Sequence, residues 1–359
     1  MRLTRILPTL LRLPRERSVA LPLAGRPVAP TPLSVLLIQL DTDAGVSGLG
    51  FGCFAEGGRS LVAAIEDDLT PLVVGENALN HERLWAKSRT LESAAARQAY
   101  AAVDLALWDL KAKAAGLPLW RMLGGVRESA KCFTAETAMP GLTTDEIIKR
   151  ARSAKDQGIS GLRVNLPGID PKAESDLLVA VHDSVGEDVW YAVTIERPYD
   201  YETALPMGRF IEEEIGADWL EDPLADDDLA GYARLGSRID TPLATGGRFT
   251  SPAQFLRLLE SGATTILRPD VIRLGGLTPW LKVAALAELH RRPIVPHLLP
   301  EVAVHLACGL PGVQAVEYVA WLAPIFVEPL RIENGNVIPP LKPGLGLELN
   351  GDAVKKYSV

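Results

Sequence analysis

The chain has 359 residues, 47% of them hydrophobic and 23% charged, with 31 Gly and 27 Pro spread along its length. This is ample apolar material for a packed core; it excludes disordered, collagen-like and coiled-coil classes, and the length predicts two domains or one large barrel with an addition. A formal net charge of −8 argues against a nucleic-acid or anionic-membrane partner, and three Cys (Cys53, Cys132, Cys308) cannot form a disulfide framework, so a reducing cytoplasm is the expected compartment.

The Arg-rich start, Met1 to Arg17, holds an apolar stretch from Ile6 to Leu11. Pro8, Arg12 and Pro14 break it well short of the roughly 20 apolar residues that a membrane span needs, so it reads as an edge strand. Residues 34–51 form two β-rich runs around Asp43-Ala44-Gly45, the pattern of a hairpin. Leu91 to Ala115 has no internal Gly or Pro and stops at Gly116 with Pro118 behind it, which predicts a helix. The first 125 or so residues therefore read as an α+β module.

From about residue 129 the texture becomes a repeat of strand, loop and helix. Thr143-x-x-Glu146 is a capping box for a helix with Ile147, Ile148, Ala151 and Ala154 on one face, and Asp170-Pro171 opens a second helix that ends near Gly186. Asp200 caps a third running to about Gly216, and Ser251-Pro252 opens another that Gly262 closes. The intervening strands are Ala130–Thr134, Leu162–Leu166, Val189–Thr194, Trp219–Glu221, 242–244, Ile266-Leu267, Ile294-Val295 and Ala315-Val316. Eight strands alternating with helices predict a parallel (β/α)8 barrel. An open doubly wound sheet is the alternative, and no Gly-x-Gly-x-x-Gly follows an early strand to support it.

In such a barrel the chemistry belongs to the C-terminal strand ends. These carry Arg163 and Asn165, Thr194 and Glu196, Glu221, Thr245-Gly246-Gly247-Arg248, Asp270, His297 and Glu317. Asp270 and His297 form the most legible pair: a carboxylate that accepts the Nδ1 proton fixes the tautomer and makes the other ring nitrogen a general base. The bland alternative is a core histidine satisfied at a strand end. His81 and His182 read as helix-surface residues and His290 as a helix C-terminal one. Glu301 and His305, at i and i+4, read as a local helix contact rather than a metal pair, because no third ligand lies at a matching spacing.

These strand ends, in this order, resemble the mandelate racemase and muconate-lactonising branch of the enolase superfamily. The likeness is carried by residues 42–51, by Ala102-Val-Asp-Leu-Ala-Leu-Trp-Asp109, by Trp219-Leu-Glu-Asp-Pro223 and by Asp270 with Arg273-Leu-Gly-Gly-Leu-Thr278. Pro296-His297, Glu301-Val-Ala-Val-His305 and the tail from Asn334 to Leu347 extend it over nearly the whole chain. The resemblance implies an α/β fold: an α+β capping domain (1–125), a modified (β/α)8 TIM-type barrel (126–325) and a C-terminal segment returning to the cap (326–359). It also implies removal of the proton α to a carboxylate, with Mg2+ holding the resulting enediolate, and a homo-oligomer acting on a small carboxylic acid.

The sequence departs from that pattern where the metal belongs. The three positions implied as carboxylate ligands read Thr194, Glu221 and Gly247, and the implied Lys-x-Lys pair reads Arg163-Val-Asn165. Glu196 lies on the same strand face as Thr194 and offers a two-carboxylate metal site with Glu221; alternatively a fixed cation, Arg163 or Arg248, stands in for Mg2+. Asn165 cannot take a proton, which disfavours two-base racemisation and points to dehydration, with His297 removing the α-proton and helping a β-hydroxyl leave. Glu317, protonated, would then hydrogen-bond a substrate carboxylate oxygen. A metal-retaining isomerase and an acid-binding homologue without turnover are the alternatives. Specificity is expected from the cap, in the loops at Ala20–Pro32, where Arg26 is the only charge, and at Phe51–Arg59, where Phe51, Cys53 and Phe54 read as lid or core.

Overall fold

The computed structural model describes residues 1–14, 32–54, 58–135, 142–186 and 188–359. The expected loop at 20–31 and residues 55–57 of the second loop lie outside the described residues. The chain opens with a three-stranded antiparallel sheet of β1 (Leu3–Leu13), β2 (Leu33–Thr42) and β3 (Ser47–Phe54), in that order, so β1 is an edge strand. β2 and β3 pair from Ser34↔Phe54 to Asp41↔Ser47, and Gly45 at φ 73° turns the hairpin. Phe51 and Phe54 are buried in the core, which settles them as packing residues.

One helix organises this cap. Ala94–Ala114 starts at the Ser93 N-cap, whose hydroxyl accepts from Ala96 N, and buries most of its length against β2 and β3. Gly48 and Gly50 allow the approach: a Cβ would stand 2.2 Å from the Ala106 carbonyl oxygen and 1.9 Å from that of Ala102. The polar residues of its motif tie three parts of the chain together. Asp109 accepts from Leu49 N (2.7 Å) and Leu345 N (2.6 Å), linking sheet and C-terminal segment. Asp104 accepts from both the amide (2.8 Å) and hydroxyl (2.7 Å) of Thr278, which also accepts from Trp108 Nε1. The barrel helix Leu277–Leu289 begins at Gly276, which has no side chain to cap it, so Asp104 supplies that cap from the other domain.

The barrel strands are β4 (Ala130–Thr134), β5 (Gly161–Leu166), β6 (Trp190–Ile195), β7 (Trp219–Glu221), β8 (Leu243–Thr245), β9 (Ile266–Leu267) and β10 (Val316–Tyr318). β4 to β9 pair in sequence order, all parallel. The ring continues through single bridges, Leu267↔Ile294 and Ile294↔Val313, to β10, which pairs with β4. The expected seventh strand at Ile294-Val295 is thus reduced to a bridge. Pro293 and Pro296 flank it, and a proline cannot donate to a ladder. A small hairpin of β11 (Arg331–Glu333) and β12 (Asn336–Ile338) then pairs antiparallel with β4. Among the described residues no helix is long and apolar enough to cross a membrane.

The predicted caps form: Thr143 and Glu146 make a reciprocal capping box on Thr144–Asp156, Asp170 caps Pro171–Val185, and Asp200 caps Tyr201–Phe210. The three cysteines form no disulfide with one another. Truncating Asp104 to Ala leaves the buried Thr278 amide unpaired and takes the acceptor from its hydroxyl, and should cost about 1–3 kcal/mol of stability, measured as a lowered free energy of urea unfolding.

Candidate active site at the barrel mouth

The inward faces of the strands build the site in two layers. The lower layer is apolar: Phe133, Ala192, Trp219, Ala244, Ile266, Val295 and Ala315 form a closed cluster with Trp190 against it. Gly161 makes room there, since a Cβ would fall 2.2 Å from the Trp190 indole. Successive inward residues of a strand are two apart, so a polar residue stands two positions beyond several floor residues: Thr194 beyond Ala192, Glu221 beyond Trp219, Arg268 beyond Ile266, His297 beyond Val295, Glu317 beyond Ala315.

Four of the site's side chains form a buried ion network. Arg268 has no solvent exposure. Its Nε stands 3.0 Å from Glu221 Oε2, its Nη2 donates to Glu317 Oε2, and its Nη1 donates to the carbonyls of Val295 (3.2 Å) and Pro296 (3.1 Å). Arg163, from β5, reaches Glu317 Oε1 at 2.9 Å and Glu221 Oε1 at 3.8 Å, while its Nε donates to Asn165 Oδ1 at 3.0 Å. Burial disfavours the charged form of Glu221 and Glu317, but the guanidiniums outweigh it and hold both acids below the usual carboxylate range. Trp219 Nε1 completes the Glu221 shell at 3.4 Å.

Beside this network stands the predicted dyad. His297 Nδ1 donates to Asp270 Oδ2 at 2.9 Å, and Asp270 Oδ1 accepts from Ile272 N and Arg273 N, which fixes the carboxylate. Nε2 is therefore the ring's basic nitrogen, and the His297 side chain keeps 18% of its exposure. Gly247 lies along the ring, where a Cβ would sit 3.6 Å from it. The loop after His297 is held in left-handed backbone at Leu298 (φ 56°) and Leu299 (φ 49°), and Asp222, just after Glu221, has φ 52°. Such strain persists only where the surroundings impose it; Glu317 does so here by accepting from Leu298 N at 3.2 Å.

The description "Mandelate racemase / muconate lactonizing enzyme, N-terminal domain" matches residues 20–124, and "Enolase C-terminal domain-like" matches residues 146–353. The chain belongs to the mandelate racemase/muconate lactonizing branch of the enolase superfamily. The L-talarate/galactarate dehydratase of Salmonella typhimurium is 32% identical over 338 residues, 92% of this chain and 84% of that one. The arabinonate dehydratase of Saccharolobus solfataricus is 26% identical over 353 residues, 93% of each chain. A structure of L-talarate dehydratase from Polaromonas sp. JS666, complexed with Mg and L-glucarate, matches with a TM-score of 0.90 at 33% identity, covering 99% of this chain and 97% of that one.

Within the enolase-superfamily frame the structure brings together Arg163, Asn165, Glu221, Asp270, His297 and Glu317, and it revises several expectations. Glu317 is not a protonated donor: two guanidiniums keep it ionised and it acts only as an acceptor. Arg248 is not in the network; it is exposed, 3.5 Å from Asp226, and donates to the Glu196 carbonyl. The cation that the strand-end reading passes over is Arg268, and its signal is the alternation Ile266, Arg268, Asp270 along one strand face. The second carboxylate engaging the partners of Glu221 is Glu317, from β10, and not Glu196, which lies past the end of β6. Thr194 is buried and its hydroxyl has no hydrogen-bond partner among the described residues. His81 is half-buried against Trp108, with ring centroids 4.6 Å apart, so it is no free surface residue.

Glu301 and His305 do not bond to each other. His305 Nδ1 accepts from Trp120 N and Nε2 donates to the Leu345 carbonyl, and burial pushes its pKa down to about 4. Glu301 Oε2 is buried without a hydrogen-bond partner among the described residues, and burial pushes the acid up to about 7. The native state therefore keeps this proton above pH 4.5, where the unfolded chain releases it, so this contribution is intact below about pH 4.5 and is lost as pH rises towards 7. Glu301→Gln should match the native protein in urea stability near pH 5 and exceed it near pH 8, by up to about 3 kcal/mol at 1.36 kcal/mol per pKa unit.

Proposed function

We propose that the chain is a dehydratase of a hydroxylated, sugar-type carboxylic acid. The observation that carries this is the His297–Asp270 dyad, partly open and joined through Glu317 and the Leu298 amide to Arg163, with an amide, Asn165, where a second base would stand. His297 Nε2 takes the proton α to the substrate carboxylate. The electron pair moves into the carboxylate as an enediolate, and the β carbon–oxygen bond then breaks as the same imidazolium returns its proton to the departing hydroxyl. Water leaves, and the enol product tautomerises to the 2-keto acid. Asp270 stabilises the imidazolium between these steps. Arg163 faces the developing oxyanion with a planar fork suited to a carboxylate. The dehydratase names of the sugar-acid relatives agree with this chemistry.

The donor set fits Mg2+ poorly. That ion needs hard oxygen ligands in near-octahedral array, whereas its implied positions hold one carboxylate, one hydroxyl and a glycine, and the carboxylate is already engaged by Arg268. Among the described residues no group of three or more His, Cys, Asp or Glu is arranged to hold a metal. A divalent ion within ~4 Å of a guanidinium is opposed by roughly 8 kcal/mol at an effective dielectric of 20, twice the ~4 kcal/mol of two unit charges. No step is therefore routed through a metal.

A panel of aldonic and aldaric acids, scored for 2-keto-3-deoxy products in chelator-treated buffer, tests the reading. Turnover of at least one acid is expected, and His297→Asn should lower it by about 10²–10⁴-fold or more while leaving the acid bound. A bound acid whose α-proton neither exchanges with deuterated water nor is eliminated would instead establish an acid-binding homologue. Racemised product would establish an isomerase.

A further inference from the structure

A guanidinium without solvent exposure is costly, and the barrel surrounds Arg268 with two carboxylates and two carbonyls drawn from three different strand ends. The apolar floor beneath offers the charge only the Phe133 ring, whose centre lies 5.5 Å from the guanidinium carbon. What the charge does is balance Glu221 and Glu317.

We propose that Arg268 is the resident cation of this site: its guanidinium takes up Glu221, the one carboxylate left of the implied triad, and excludes divalent ions from the barrel mouth. The inference rests on the proposed reaction for its purpose but not for its test. Among the described residues, two arginines and two glutamates leave the buried network without net charge, so a divalent ion entering it would add charge with none of the network's carboxylates free to receive it. Removal of Arg268 would instead make the network negative beside the place where an anionic substrate docks. Arg268 also acts through Glu317. That carboxylate holds Arg163 with one oxygen and Leu298 N with the other, so the guanidinium positions both the fork that meets the substrate and the strained turn that carries His297. Arg268 is thus a positioning residue, and it determines that the site works with a tethered cation.

The test is metal binding, read without substrate from the electron-spin-resonance signal of free Mn2+ as protein is added. The native protein should leave that signal at full intensity; uptake of one Mn2+ per chain that Glu221→Gln abolishes would overturn the proposal. Thr194→Asp with Gly247→Glu restores the implied triad while Arg268 remains, and the backbone at Gly247 admits a Cβ at ordinary contact distance. This double variant should still bind no Mn2+, and binding by it would sink the idea. Adding Arg268→Met should give one bound Mn2+ per chain and an upward Tm shift on Mn2+ addition. A triple variant that keeps the native near-ultraviolet circular dichroism yet binds no Mn2+ would equally overturn the proposal. Failure of the dehydratase assay would touch none of these results.

Discussion

Charge balance inside the barrel is the constraint from which the rest of this site follows. An ionised side chain sealed away from water is tolerated only with compensating charge and filled hydrogen bonds. Arg268 finds the compensating charge in Glu221 and Glu317, and each of those acids is in turn held ionised by a guanidinium. Because Glu317 also engages Arg163 and the amide of Leu298, the same balance fixes the residues proposed to face the substrate. The His297 turn can then keep two consecutive left-handed leucines, a conformation that an isolated loop would relax.

The capping domain is tied to this barrel by carboxylates of another kind. Asp104 and Asp109 lie on one buried helix and spend their lone pairs on backbone amides of the barrel and of the C-terminal segment. Asp104 replaces a helix cap that Gly276 cannot provide. The motif around these residues is therefore a docking device, and the close approach of the helix to β3 depends on Gly48 and Gly50. The acids of the mouth act on charge; the acids of the joint act on orphaned N–H groups.

Set against the enolase-superfamily pattern, the proposed role of Arg268 would make the changes at the mouth one electrostatic exchange. Two carboxylates are absent, at Thr194 and Gly247, and a buried guanidinium is present, at Arg268. Losing acids around a dication leaves excess positive charge, and exchanging the dication for a single tethered cation removes that excess. Asn165 fits the same exchange: it accepts from Arg163 Nε and so orients a cation where the family pattern implies a base.

The local order of the chain determined a good deal by itself. Caps at Thr143, Asp170 and Asp200, the Gly45 turn and the alternation of strands with helices depend on neighbours within a few residues, and these formed as read, as did the Asp270–His297 pair at adjacent strand ends. Tertiary structure alone decided the state of Glu317, the absence of Arg248 from the network, the separate partners of Glu301 and His305, and the central place of Arg268. The physical reason is that ionisation and pairing depend on which charges meet across the barrel: Arg268 and Glu317 are 49 residues apart, Arg163 and Glu317 farther still, and no spacing rule connects them. The composition showed an excess of acids along the chain; the fold determined that, at the mouth, each of the acids facing the network is met by an arginine.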